Sequence, residues 1–201
     1  MIADNILLFE KDAIPNAAMA LTADDIRQLV ALLSEKDDKL RYPALLLLQC
    51  RSQSFDDVYP YFNTFAEKLR SDNSYQRGIG MMLMAQNAQW DVDNKFDAAL
   101  DDYLSGAEDE KPITARQCIQ ALDHVIPHKA GLLGRIADRL IRVNIDAIKP
   151  SMKKLLLLDI LHALMQIRKL KPSGDIDAYI FDALSGGILD DKSKKQIVKM
   201  L

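Results

Sequence analysis

The sequence predicts an all-α chain built as a solenoid of about four stacked helix pairs with a cap at each end. Two observations carry this. A basic residue returns at nearly the same place in successive segments: Arg41, Arg77, Arg116 and Lys154 lie 36, 39 and 38 positions apart. Each opens an apolar run, Pro43 to Leu48, Ile79 to Met84, Cys118 to Leu122 and Leu155 to Leu158. A period in this range without strand-like alternation marks a stacked helical repeat. Composition agrees, since aromatics make up only 6% of the chain while Leu, Ala, Ile and Met are abundant, which favours helix over sheet.

The bulk properties set bounds. With 201 residues the chain can bury a substantial core as one continuous domain, 1–201. Within it, 1–21 reads as an N-terminal cap, 22–170 as repeats and 172–201 as a C-terminal cap. Apolar residues make up 49% and charged residues 27%, far from a disordered composition. The net charge of −3 and pI near 5.6 argue against a dedicated nucleic-acid binder, whose footprint is basic. Cys50 and Cys118 sit in apolar helical contexts and are expected as buried, reduced thiols, with no Cys/His spacing for zinc. Met1-Ile-Ala-Asp-Asn lacks the basic start of a signal peptide, and Glu10-Lys11-Asp12 interrupts the short apolar stretch after it. No apolar run approaches the roughly 20 residues needed to span a bilayer. A soluble, cytoplasmic protein is the expectation.

In chain order, Thr22 can cap a helix whose first turn carries Asp24 and Asp25 and whose stripe is Ile26, Leu29, Val30 and Leu33. A second helix follows to about Ser52, with Pro43 either kinking it or marking its first turn. Ser54 is the next cap, for a helix to Arg70 with Val58, Tyr61, Phe62, Phe65 and Leu69 inward. Helix 74–88 carries core methionines where Gly78 and Gly80 permit close approach. Asp91 starts a helix that Gly106 can stop in the left-handed conformation. Pro112 opens helix 112–126, and helix 130–143 follows. Pro150 opens a long helix to about Arg168. After Lys171-Pro172-Ser173-Gly174 come a short helix, the Gly186-Gly187 turn and a lysine-rich final helix, read as the cap.

The paired helices, the Asp or Asn preceding the basic residue (Asp37 before Arg41, Asn73 before Arg77) and the prolines at helix starts resemble HEAT or armadillo-type repeats over roughly residues 22–170. The resemblance implies a right-handed α-α superhelix that binds a protein partner on a concave surface. Pro112 and Pro150 stand where an Asp would be expected, which departs from a regular acid–base ladder.

Charge reverses along the chain. Residues 91–110 are acidic, whereas 129–171 are rich in Lys and Arg. Arg135, Arg139 and Arg142 follow i, i+4, i+7 and share one helix face. With Lys149 and Lys153 they form the candidate contacts for another protein, through an acidic segment of it. One repeat of 38 residues takes Asp97 to Arg135 and Asp101 to Arg139, so internal pairing is the competing reading. His124 and His128 have helical metal spacing, but Pro127 lies between them and no third ligand follows, so they read as surface histidines. His162 reads as a core histidine. Trp90 beside Asp91 resembles, in a HEAT-like context, the tryptophan and aspartate of bacterial alkylpurine DNA glycosylases, which implies Arg135, Arg139 and Arg142 on phosphates. The single Trp and the acidic run beside it favour a structural Trp with Asp91 as a cap. No nucleotide-binding or nucleophile-elbow motif occurs, so no cofactor, metal or catalytic residue is assigned. The expectation is an interaction scaffold, with a glycosylase-like protein as the alternative.

Overall fold

Helix starts are set by the side chains the sequence places there. Thr22 caps the helix Ala23–Leu32 through a capping box: its hydroxyl accepts from the Asp25 N–H, and the Asp25 carboxylate accepts from the Thr22 N–H. The pair satisfies donors that a helix N-terminus otherwise leaves open. Asp37 and Asn73 cap the next two second-of-pair helices, each accepting from the N–H two residues on. The structure, a computed structural model, describes residues 11–201. Residues 1–10 of the expected N-terminal cap, with the Met1-Ile-Ala-Asp-Asn start and Glu10, lie outside the described residues.

Among the described residues the regular structure is entirely helical: α1 (Ile14–Met19), α2 (Ala23–Leu32), α3 (Asp38–Ser52), α4 (Phe62–Lys68), α5 (Ser74–Gln86), α6 (Lys95–Ser105), α7 (Pro112–Ala121), α8 (Leu133–Ile141), α9 (Pro150–Leu170), α10 (Gly174–Ser185) and α11 (Asp191–Val198). Short 3-10 turns join several of them. No described helix is long and apolar enough to cross a membrane.

The chain divides into two compact units, Met1–Tyr103 and Leu104–Leu201, with the boundary inside α6. In the first unit α2 packs on α3 and α4 on α5 as hairpins, and α3 also contacts α1 and α5. The rings of Tyr59, Phe62, Phe96 and Tyr103 form a buried chain with successive centroids 5.9, 6.3 and 5.0 Å apart, in the tilted geometries that aromatic quadrupoles favour. Gly80 sets how closely α4 and α5 approach: a Cβ there would stand 2.6 Å from the Phe65 carbonyl oxygen. In the second unit α9 packs against α7, α8 and α10, burying Leu122, Ile136, Leu140, Ile160 and Leu164 completely.

Side-chain hydrogen bonds join segments distant in the chain within each unit. In the first unit they join residues 32 to 43 apart: Gln76 to the Leu33 carbonyl, Asn87 to Ser52, Trp90 to the Ser52 carbonyl and Arg70 to Asp102. In the second they join residues 31 to 43 apart: Arg139 to Glu108, Lys154 to Asp190, Arg116 to Asp159 and Gln166 to Asp123.

Several expected boundaries shift, with local causes. The helix expected from Ser54 begins at Phe62, after a 3-10 turn over Tyr59–Tyr61, because Pro60 disfavours helical geometry in the residue before it. Asp91 lies outside α6 and caps it from the preceding loop. Gly106 does not adopt a left-handed cap, since no described glycine has positive φ. Instead the chain continues from α6 into the turn Gly106–Glu108, where Gly106 and Ala107 are buried and pack on α7. Pro43 sits inside an unbroken α3. The expected helix 112–126 gives way to 3-10 geometry at Leu122, and α8 is preceded by a 3-10 turn over Ala130–Leu132.

Candidate functional site

The basic group on α8 and the start of α9 is built by strong amphipathicity. Leu133, Ile136, Ala137 and Leu140 are buried on one side of α8, which leaves Arg135 and Arg142 exposed and Arg139 half-buried on the other. Arg139 donates to the Glu108 carboxylate at 2.5 Å, and Lys153 donates to Asp146 at 3.1 Å. Pairs exposed to this degree are worth under about 1 kcal/mol each, but they neutralise the cations locally. The Arg142 side chain makes no hydrogen bond or ion pair among the described residues. It lines a groove of about 300 Å³ between α8 and α10, shared with Ile141, Ala178, Tyr179 and three carboxylates, Asp138, Asp175 and Asp182. An acidic segment approaching Arg142 would meet those carboxylates first. Lys149, exposed at the start of α9, also has no polar partner among the described residues.

Trp90 and Asp91 are held differently. The Trp90 indole N–H donates to the Ser52 carbonyl at 2.7 Å. Asp91 is 7% exposed and accepts from the Tyr59 hydroxyl at 2.7 Å and from the N–H groups of Lys95 and Phe96 at 2.8 and 2.9 Å. Both carboxylate oxygens are therefore engaged in starting α6 and in joining it to the turn at Tyr59. Burial, with acceptance by Asp91 as a second cause, pushes the Tyr59 phenol well above its ordinary value.

The four periodic cations have structural partners too. Arg41 donates to the Glu35 carbonyl and to Asp38, and lies 5.1 Å from the Tyr75 ring centroid. Arg77 donates to the carbonyls of Ser71 and Asp72, closing the turn between α4 and α5. Arg116 and Lys154 instead reach forward, to Asp159 on α9 and to Asp190 before α11. The periodic residue is thus a tie, used locally in the first unit and between successive pairs in the second.

His162 is not a core histidine. It is exposed on α9, with its Nε2 3.7 Å from Asp123, because Asp159, His162 and Gln166 form a polar row facing Gln120 and Asp123. His124 and His128 sit in turn geometry after α7, and no described group of three His, Cys, Asp or Glu side chains could hold a metal. Cys118 is fully buried, and burial pushes its thiol well above the ordinary range, so it has no nucleophilic character. Cys50 is only half-buried, and neither cysteine is in a disulfide among the described residues.

Two further surfaces stand out. A groove of about 420 Å³ between α4 and α6 has an apolar floor of Phe62, Ala66, Ala98 and Ala99, closed at one end by the Arg70–Asp102 pair at 3.0 Å. On α11, Lys192, Lys195 and Lys199 share an exposed face without any polar partner among the described residues. Sequence reasoning treated α11 as a cap. The available signal was its excess of lysines over the two aspartates at its start. No protein-family model matches the chain, and no curated protein matches it either.

Proposed function

We propose that this protein is a helical-repeat scaffold that binds another protein, with its pairs stacked as a right-handed, HEAT-like superhelix. The observation that supports this is the recurrence, in both units, of inter-pair hydrogen bonds between residues 31 to 43 apart. Ties at that spacing make each pair a support for the next, and such stacks serve as extended binding surfaces. The two side chains best suited to catalysis by residue type, Asp91 and Cys118, are consumed by capping and by burial. In this reading the partner contributes an acidic segment, and Lys149 is a contact on the basic side of the second unit.

Affinity capture from lysate of the native host, with and without nuclease, provides the test. The expected result is one nuclease-resistant protein that re-forms a stoichiometric complex with the purified chain. Recovery of nucleic acid alone, or failure of every captured protein to re-form the complex from pure components, would overturn the scaffold reading.

A further inference from the structure

We infer that the acidic segment lands on α11, against the first turn of α9, and not along α8. This rests on the reading that the protein binds an acidic segment of another protein, and it specifies where.

The argument begins with which cations are already neutralised. Arg139 is paired with Glu108, Lys153 with Asp146 and Lys154 with Asp190. Arg142 lies among three carboxylates, so the α8–α10 groove carries an excess of negative charge. Around α11 the balance is the reverse. Lys192, Lys195 and Lys199 fall at i, i+3 and i+7, on one exposed face, and Lys194 flanks them. No side chain of the four has a hydrogen bond or ion pair among the described residues. Asp190 is committed to Lys154 and to the Ser193 N–H, so Asp191 is the one carboxylate left on this face.

The fold also joins this face to the other unpaired lysine. The Lys154–Asp190 bond, spanning 36 residues, holds the start of α11 against the first part of α9, where Lys149 is exposed. Val198 (58% exposed) lies on α11 itself and Leu201 (53%) follows it, so apolar side chains stand exposed close to the lysines in the chain. Charge complementarity therefore selects an acidic polypeptide that also carries apolar residues. A lipid surface fits less well. The apolar side of α11 is turned inward through Ile197, 3% exposed, so it is not available to enter a bilayer as an interfacial helix would require.

The test is fluorescence anisotropy of the full chain with a labelled twelve-residue peptide of glutamate and leucine, at low and high salt. The unmodified chain is expected to bind it in a salt-sensitive manner. The triple variant Lys192→Glu, Lys195→Glu, Lys199→Glu is expected to lose at least about tenfold in affinity. Lys36→Glu, Lys39→Glu, Lys169→Glu makes the same change in net charge elsewhere and is expected to stay within about twofold. The neutral triple of Lys→Gln, checked for native ellipticity, should fall between. Equal losses in the two charge-reversal triples would overturn the assignment, as would binding to phosphatidylserine vesicles without binding to the peptide. If the captured partner still binds the α11 triple with undiminished affinity, the location is wrong and the scaffold reading stands. If no partner is captured and no peptide is bound, both are wrong.

Discussion

Replacing Asp91 by alanine removes one carboxylate and three hydrogen bonds at once. The lost acceptor leaves the N–H groups of Lys95 and Phe96 open at the start of α6, and it strands the Tyr59 hydroxyl, which is 8% exposed. Loss of a cap of this kind costs about 1 kcal/mol. Loss of a buried bond to a charged acceptor adds about 1.5–3 kcal/mol. The Tyr59 hydroxyl also has Asp93 at 3.2 Å as a fallback, so the lower end applies to that bond, and the sum is about 2.5 kcal/mol. Urea denaturation measures it, followed by far-UV ellipticity and by fluorescence of Trp90, the single tryptophan of the chain. Tyr59→Phe in a double-mutant cycle should show coupling to Asp91 of about 1 kcal/mol. A loss below about 0.5 kcal/mol for Asp91→Ala, within the range of ordinary surface substitutions, would refute the capping role. It would also return Asp91 to consideration as a residue kept for chemistry.

Four other outcomes are expected. Gly80→Ala should destabilise by about 1–3 kcal/mol, because its Cβ would meet the Phe65 carbonyl; Gly134→Ala, which meets only the flexible end of Lys171, should stabilise by up to about 1 kcal/mol in thermal melts. Arg51→Met should cost about 2–3 kcal/mol, since Arg51 joins Asp57 to the Ala18 and Met19 carbonyls at the end of α1; faster proteolysis near α1 would report it. Arg139→Glu should change stability by less than about 1 kcal/mol, with the swap Glu108→Arg, Arg139→Glu restoring the difference. The phenols of Tyr59 and Tyr179 are both raised, chiefly by burial, the latter to about 12. The folded chain thus holds these protons more tightly than the unfolded chain. Stability from this source is fully present below the ordinary tyrosine value of 10.0 and declines as pH rises beyond it; Tyr59→Phe should shallow that alkaline decline.

Much of the local structure was legible because helix starts depend on nearest neighbours. Thr22 with Asp25, Asp37 and Asn73 perform the capping their identities suggest. The start of α4 at Phe62, after the 3-10 turn that contains Pro60, is likewise local in origin. His162 was misread for a different reason: its flanking leucines gave an apolar average, while its own row on α9 carries Asp159 and Gln166 and faces a polar row on α7.

The candidate surface depended on information that no local pattern holds. Three arginines at i, i+4 and i+7 on α8 share a face whatever the fold. Whether that face is basic depends on which carboxylates arrive from Glu108 and from α10. The sequence by itself determined the helices and their caps, because these follow from backbone hydrogen bonding and apolar spacing within a few residues. Tertiary structure alone decided which charges remain unpaired, neutralising Arg139 and leaving the lysines of α11 exposed. Electrostatic free energy depends on distance in space, and partners separated by 31 to 43 residues in the chain become neighbours only when the helix pairs stack.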